Sequence, residues 1–166
     1  MPAQGSYLIA LGSNVRHPRH GDPRKVLSAA LDSLDEAGLA VVSASPTVSS
    51  APVGPSQRRY ANCAAIIASE LAPDAILTRL KRIERDYGRT GSGQRWRARV
   101  LDLDIILWSG GSFGAAHLII PHIALRGRDF VLGPAAAIAG NWRDPVSGLT
   151  IKQLHTRLTR PRPAPR

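Results

Sequence analysis

A chain of 166 residues, 43% hydrophobic and 20% charged, has the composition of a folded domain and enough length to bury a core. No apolar run approaches the roughly 20 residues that cross a bilayer, and the N-terminal residues lack the pattern of a secretion signal, so we expect no membrane partner. The single cysteine, Cys63, excludes an intrachain disulfide and is typical of a cytoplasmic protein.

The net charge of +10 indicates an anionic partner. Nucleic acid is the first candidate for such a surplus. The basic residues, however, concentrate in a C-terminal tail and beside a pair of aspartates, and they are not interleaved with the aromatic residues that stack on bases. A compact anionic ligand explains this distribution better, and we expect no nucleic-acid partner.

The first half of the chain predicts strands and helices in alternation. Asp22 and Pro23 are typical of a helix start, and Gly38 is typical of its end. A strand predicted for 39–50 contains Pro46, which indicates an edge or a bulge. The other elements predicted here are a strand over 7–11 ended by a turn at Gly12-Ser13-Asn14, a strand over 60–68, and a helix from Ala72-Pro73-Asp74 to Gly88.

Two strand–helix–strand units in succession predict an α+β fold, a ferredoxin-like sandwich in which helices cover an antiparallel-containing sheet. Helices are also predicted within 124–139 and over 149–158. We expect residues 1–158 to form a single domain. The basic, proline-rich residues 159–166 are expected to be a disordered tail.

Residues 101–107 alternate in a way that predicts a strand with two acidic residues on one face. The odd-numbered residues from Leu101 to Leu107 point one way, and Asp102 and Asp104 point the other, roughly 6.6 Å apart at Cα. Two carboxylates supply oxygen ligands for Mg²⁺, and nearby arginines suit phosphate oxygens. The alternative is an edge strand with two solvated aspartates, although Asp is disfavoured in strands.

Asn62 is a polar exception within the apolar strand over 60–68. It is either a core amide whose hydrogen bonds are satisfied inside the fold or a polar handle on a ligand. The sequence leaves both interpretations open.

Several short motifs occur together in one order along the chain. The most specific is Arg95-Trp96-x-x-Arg99-x-Leu101-Asp102-Leu103-Asp104. The others are Gly12-Ser13-Asn14, Pro52-Val53-Gly54-Pro55, Tyr60-x-Asn62, Glu84-x-x-x-Gly88-Arg89, Pro121-His122 and Arg128-x-Phe130. From Leu8 to about Leu158 this order resembles the 6-hydroxymethyl-7,8-dihydropterin pyrophosphokinase family of folate biosynthesis. The chain departs from the family pattern at Ala51, Gly91, His117 and Ile123.

The resemblance implies transfer of pyrophosphate from ATP, as co-substrate, to the hydroxymethyl group of the pterin, with two Mg²⁺ ions held by Asp102 and Asp104. It implies catalytic roles for Arg89, Arg99, Asp102 and Asp104. Residues implied to bind ATP are Glu84, Arg89, Trp96, Arg99, Ile105, His122 and Arg128. Residues implied to bind the pterin are Ser50, Ala51, Val53, Tyr60, Asn62 and Phe130. We expect the protein to act as a monomer.

Two other functions are considered. A catalytically silent relative would bind pterin or nucleotide without turnover, and a nucleic-acid-binding module would bind oligonucleotides with an affinity that falls steeply with salt. Retention of both aspartates together with Arg89, Arg99 and His122 favours the active enzyme.

Overall fold

The computed structural model describes residues 5–51, 59–88 and 100–165. Its strands are β1 (Gly5–Ser13), β2 (Ala40–Ala44), β3 (Val48–Ser50), β4 (Tyr60–Ser69), β5 (Asp102–Trp108), β6 (Phe113–Ala115) and β7 (Leu118–Ile120). Its α-helices are α1 (Pro23–Glu36), α2 (Pro73–Asp86), α3 (Asp129–Ala139) and α4 (Ile151–Thr159), with a 3-10 turn at Leu125–Gly127. No helix among these residues is both long and apolar enough to cross a membrane.

The main sheet has the strand order β2-β4-β1-β5, with β3 also paired to β4, and all of these pairs are antiparallel. Strands β6 and β7 form a separate hairpin. With α1 after β1 and α2 after β4, the main sheet has the ferredoxin-like order. The predicted α+β class is therefore confirmed.

The alternation of β1 divides the interior into two cores, one on each face of the sheet. Tyr7, Ile9 and Leu11 contribute to the first core, which also holds the buried residues of α1 and α2. Leu8 contributes to the second core, which holds the buried residues of α3 and α4. Helices thus cover both faces, which makes the fold a sandwich.

Two details of the predicted strands are wrong. Gly12 and Ser13 belong to β1 and do not form a turn. Leu107 lies in the second core, whereas Leu103 and Ile105 lie in the first. The register between β1 and β5 shifts by one residue near Ile105, and this bulge turns Leu107 to the other face.

The boundaries of α1 follow the predicted signals, and α3 is the helix predicted within 124–139. The Asp22 side chain accepts a hydrogen bond from the Lys25 N–H at 3.1 Å, and Gly38 takes a positive φ of 78° after the helix. Helix α3 runs over Asp129–Ala139, and Arg128, with φ −121°, is extended between it and the preceding 3-10 turn.

An ion pair between an exposed arginine and a buried aspartate ties the 3-10 turn to the loop before α4. Arg126 donates two hydrogen bonds to Asp144, Nε to Oδ2 at 2.7 Å and Nη2 to Oδ1 at 2.8 Å. The Ser147 hydroxyl and the Val146 N–H also donate to the fully buried Asp144 carboxylate. Burial by itself raises the pKa of Asp144, but the bonds from Arg126, Ser147 and Val146 outweigh it and lower the pKa to about 2.

The Asp144 carboxylate should stabilise the fold in a pH-dependent way. Its folded pKa lies below its unfolded value, so its contribution is complete above about pH 4 and is lost as the pH falls towards 2. We expect Asp144→Asn to lower the free energy of unfolding by about 2 kcal/mol at pH 7 and by much less near pH 2.5. Urea unfolding from pH 2.5 to 7 measures this difference. Replacing the exposed Asp32 with Asn is the control and should leave the wild-type profile unchanged.

Candidate active site

Three residues form a row across the sheet at one end of β1. Gly12 pairs with Asn62 of β4 on one side and with Asp102 of β5 on the other. Directly paired residues of an antiparallel sheet point to the same face, so the side chains of Asn62 and Asp102 share a face. Two strand spacings separate them, or roughly 10 Å at Cα.

Asp102 and Asp104 lie on one face of β5, as the alternation predicts. Asp104 pairs with Ala10, two residues before Gly12, so its carboxylate points to the same side as that of Asp102. The Asp104 side chain is 46% exposed, and Asp102 is half-buried. Neither side chain is fully buried, so a ligand can reach this face of β5 from solvent.

Glu84 holds the backbone of β5 between the two aspartates. Its Oε1 accepts the Leu103 N–H at 2.8 Å, and Lys81 Nζ lies 3.3 Å from its Oε2. The Glu84 residue is only 1% exposed. The resemblance assigns this residue to ATP, whereas the structure places its carboxylate in the interior, where it fixes the strand that carries the aspartates.

The imidazole of His122 faces Asp104. Its Nε2 lies 4.0 Å from Asp104 Oδ1, and its Nδ1 accepts the Ala124 N–H at 3.1 Å. A neutral ring with Nδ1 as acceptor carries its proton on Nε2, so this assigned tautomer directs an N–H towards the carboxylate. The backbone N–H of His122 also donates to the Ile106 carbonyl at 3.0 Å, and this bond anchors the histidine to β5.

A cavity of about 590 Å³ between β3 and α3 brings together residues assigned to the pterin. Ser50, Ala51 and Phe130 line it. Asn62 Nδ2 donates to Ser50 Oγ at 2.8 Å, and Tyr60 pairs with Ser50 two residues before Asn62. Tyr60 and Asn62 therefore share a face.

The two interpretations of Asn62 stay open at this point. The residue is 5% exposed, and its bond to Ser50 satisfies part of the amide within the fold, as a core amide requires. The same bond also fixes the amide in one orientation, as a ligand-binding group requires.

Arg128 and Phe130 lie together at the start of α3. The Arg128 guanidinium carbon is 5.7 Å from the centroid of the Phe130 ring, within the range of a cation–π contact. Arg128 is exposed and can contact an anion without losing this stacking.

Some residues assigned from the sequence are not part of the arrangement described so far. Arg89, Trp96, Arg99 and Val53 lie outside the described residues. The Ile105 side chain is buried in the first core, on the opposite face of β5 from the aspartates. His117, one of the departures from the family pattern, lies with its Nε2 2.6 Å from Asp74 Oδ1 at the first turn of α2.

The aspartate pair has the chemistry of a magnesium site. Mg²⁺ prefers oxygen ligands, is often bound by one or two carboxylates, and keeps several waters or substrate oxygens. Within 5–51, 59–88 and 100–165, no group of three or more His, Cys, Asp or Glu side chains is arranged to hold a metal. Two carboxylates on one strand face fit a cation that completes its coordination with waters and substrate oxygens.

The sequence model of the 7,8-dihydro-6-hydroxymethylpterin-pyrophosphokinase (HPPK) family matches residues 8–140. The chain belongs to the HPPK family. The matched region includes every aspartate, histidine and asparagine of the candidate site, so the resemblance of the motifs is confirmed.

Relatives from bacteria carry the name 2-amino-4-hydroxy-6-hydroxymethyldihydropteridine pyrophosphokinase. The Synechocystis protein is 40% identical over 118 residues, which is 71% of this chain and 60% of that protein. The Pseudomonas aeruginosa protein is 37% identical over 139 residues, which is 82% of each chain. The chain thus spans less than two thirds of the Synechocystis relative and most of the Pseudomonas one.

Part of the chain in solved structures of HPPK-DHPS proteins has the same fold. A substrate complex of HPPK-DHPS superposes with a TM-score of 0.74 at 12% identity, covering 95% of this chain and 43% of the other. The wild-type Plasmodium falciparum HPPK-DHPS gives a TM-score of 0.70, covering 93% of this chain and 44% of the other. At this identity the likeness establishes the fold alone.

The sequence did not predict that Glu84 is buried and holds the backbone of β5. Its signal is a carboxylate on the apolar face of α2, close to the stripe that includes Leu80 and Ile83. A buried carboxylate at such a position needs a hydrogen-bond partner, and the register of β5 supplies it.

Removing the Glu84 carboxylate should destabilise the fold more than removing its surface partner. In Glu84→Ala the buried Leu103 N–H loses its acceptor, so we expect the free energy of unfolding to fall by about 2 kcal/mol or more. Lys81→Ala removes only a half-exposed ion pair and should cost less than about 1 kcal/mol. Urea unfolding of both variants at pH 7 makes the comparison. Equal losses would show that the Leu103 bond does not anchor β5.

Proposed function

We propose that the chain transfers the pyrophosphoryl group of ATP to the hydroxymethyl group of 6-hydroxymethyl-7,8-dihydropterin, giving AMP and the pterin diphosphate. The observation that carries this proposal is the family match over residues 8–140 together with the row Asn62-Gly12-Asp102. In that row, the amide proposed to bind the ring and the carboxylate proposed to face the phosphates lie on one face of the main sheet. ATP is the co-substrate, and the chain acts in folate biosynthesis in the cytoplasm.

The pterin occupies the side of the site formed by β3, β4 and the start of α3. Tyr60 and Phe130 flank its planar ring, because aromatic faces bind flat heterocycles by stacking. Asn62 contacts the ring edge, since an amide donates and accepts at once. The hydrogen bond to Ser50 fixes the Asn62 amide, and the fixed amide in turn orients the ring.

The nucleotide occupies the side formed by β5 and the segment from His122 to Arg128. Asp102 and Asp104 would hold two Mg²⁺ ions. When bound, these ions would neutralise negative charge on the phosphates of ATP. His122 presents an Nε2–H, and Arg128 presents an exposed guanidinium, both suited to phosphate oxygens. We propose that Arg89 and Arg99 contribute further phosphate contacts and that Trp96 contacts the nucleotide.

The transfer itself needs positioning more than covalent chemistry. The pterin hydroxyl oxygen attacks the β-phosphorus of ATP, the bond from that phosphorus to the oxygen bridging to the α-phosphorus breaks, AMP leaves, and the hydroxyl proton passes to solvent. The chain therefore has to bring two substrates together and stabilise negative charge. Burial raises the pKa of the Cys63 thiol to about 11, which suits a core residue and not a nucleophile. The proposed transfer therefore involves no covalent intermediate on Cys63.

Analysis of the products separates the enzyme from the alternatives. With ATP, Mg²⁺ and 6-hydroxymethyl-7,8-dihydropterin, we expect AMP to be released only when the pterin is present. ADP instead of AMP would contradict pyrophosphoryl transfer. Binding of both substrates without AMP would identify a silent relative, and salt-sensitive binding to oligonucleotides would support the nucleic-acid module.

Removing either aspartate should stop turnover without unfolding the protein. Asp102→Ala and Asp104→Ala each lose a Mg²⁺ ligand, so we expect kcat to fall below detection. Loss of the Asp104 carboxylate also removes repulsion between like charges on one strand face, so the melting temperature of Asp104→Ala should not fall. A coupled AMP assay and thermal unfolding give the two readouts, with Asp32→Ala as the exposed control. Substantial Mg²⁺-dependent activity in either variant would contradict the metal assignment.

Removing the Asn62 amide should affect the pterin far more than the nucleotide. We expect Asn62→Ala to weaken pterin binding by about tenfold, through loss of one or two hydrogen bonds, and to leave the affinity for an ATP analogue unchanged. Ser50→Ala removes only the group that orients the amide and should have a smaller effect in the same direction. Isothermal titration with each ligand measures both. Unchanged pterin affinity in a destabilised Asn62→Ala protein would identify a core amide instead.

A further inference from the structure

We propose that His155 is a positioning residue, which fixes the first turn of α3 through Asp129 and thereby holds Phe130 in place. The inference rests on the proposed function, in which Phe130 flanks the pterin ring. His155 Nε2 lies 2.9 Å from Asp129 Oδ1, and both residues line the cavity between β3 and α3 together with Phe130. His155 lies on α4, beyond the residues 8–140 that the family model matches.

The carboxylate of Asp129 defines the direction of this hydrogen bond. An ionised carboxylate only accepts, so the imidazole of His155 donates from Nε2. A neutral ring with its proton on Nε2 and a charged ring both offer this N–H, so the bond does not require a charged histidine. The Asp129 side chain is 67% exposed, and an exposed pair of this kind adds little to the stability of a whole domain. The effect of the bond is therefore local, on the turn that carries Asp129.

The helix itself holds this first turn weakly. Its N-cap residue, Arg128, makes no side-chain capping hydrogen bond. Gly133 and Pro134 follow within the helix, and these are the two residue types that favour a helix interior least. Pro134 has no N–H, so it cannot donate to the carbonyl of Phe130 four residues earlier. A contact from outside α3 therefore contributes more to the order of this turn than it would in an uninterrupted helix.

Helix α4 is a firm support for the imidazole. Its first turn is closed by a capping box, in which the side chains of Thr150 and Gln153 each accept a hydrogen bond from the backbone N–H of the other residue. Ile151 and Leu154 are buried in the second core, which also holds the buried residues of α3. His155 follows Leu154 directly, so its backbone is fixed by the packing of the core. The hydrogen bond to Asp129 thus connects a weakly held turn to a well-held helix.

The segment that precedes α3 has an anchor of its own. Arg126 donates two hydrogen bonds to Asp144, and this pair fixes the 3-10 turn that leads to Arg128. The backbone at Arg128 therefore stays held when the bond from α4 is removed. Phe130 lies on the other side of Asp129, within the weakly held turn. Loss of the bond from α4 should thus affect binding of the pterin more than binding of the nucleotide.

The test compares His155→Phe with His155→Gln. Phenylalanine keeps a ring but has no N–H, whereas the glutamine amide keeps an N–H donor. In His155→Phe we expect the KM for the pterin substrate, and the Kd for its stable oxidised analogue 6-hydroxymethylpterin, to rise about threefold to tenfold. This is the typical effect of having to order one more side chain on binding. His155→Gln should restore most of the loss. In both variants kcat, the Kd for a non-hydrolysable ATP analogue and the melting temperature should change little.

A double-mutant cycle shows whether His155 acts through Asp129. Asp129→Ala should raise the KM for the pterin by a similar factor, and the double variant should be no worse than either single variant. Asp74→Ala is the matched control, because Asp74 is also an acidic residue in the first turn of a helix and lies 2.6 Å from a histidine, His117. The first turn of α2 carries no residue proposed to contact substrate, so this variant should keep both wild-type KM values.

Four outcomes would overturn the inference. Unchanged pterin affinity in His155→Phe, with wild-type binding intact, would leave the proposed function standing and show that the imidazole does not position Phe130. Losses that accumulate in the double variant would show that His155 does not act through Asp129. A fall in melting temperature with equal weakening of both ligands would show a role in the fold alone. Wild-type protein that binds no pterin at all would overturn the proposed function, and this inference with it.

Discussion

The pairing of β1 with both β4 and β5 is the constraint on which the rest of the site depends. Because Gly12 is in register with Asn62 on one side and with Asp102 on the other, residues 40 positions apart in the sequence lie on one face within two strand spacings. A shift of either pair by one residue would turn Asn62 or the aspartates into the first core. The buried alternation of Tyr7, Ile9 and Leu11 stabilises this register against such a shift.

Two buried carboxylates support the site from behind. Glu84 accepts the Leu103 N–H and fixes the strand between the aspartates. Asp144 accepts two bonds from Arg126 and fixes the 3-10 turn that leads to Arg128. Each removes the cost of burying a charge by forming strong hydrogen bonds, and each connects a binding segment to the core. The residues proposed to touch substrate can thus remain exposed while their backbones are held in place.

The two halves of the site differ in how they are built. On the proposed pterin side, Asn62 is nearly buried and oriented by Ser50, as suits the recognition of a neutral, shaped ring. On the proposed nucleotide side, Asp104 and Arg128 are exposed on an edge strand and at a helix start, as suits ions and phosphates that bring their own water. Gly12 pairs with both Asn62 and Asp102, so β1 sets the distance between the two halves.

The sequence by itself determined the order in which strands and helices alternate along the chain, the start of α1 at Asp22 and the shared face of Asp102 and Asp104. These follow from local alternation, capping and turn chemistry, which act over a few residues. Only the tertiary structure decided the position of Gly12 within β1, the turn of Leu107 to the second core and the place of Glu84 beneath Leu103. Each depends on which strands pair and in which register, and that choice is made by contacts between residues far apart in the sequence.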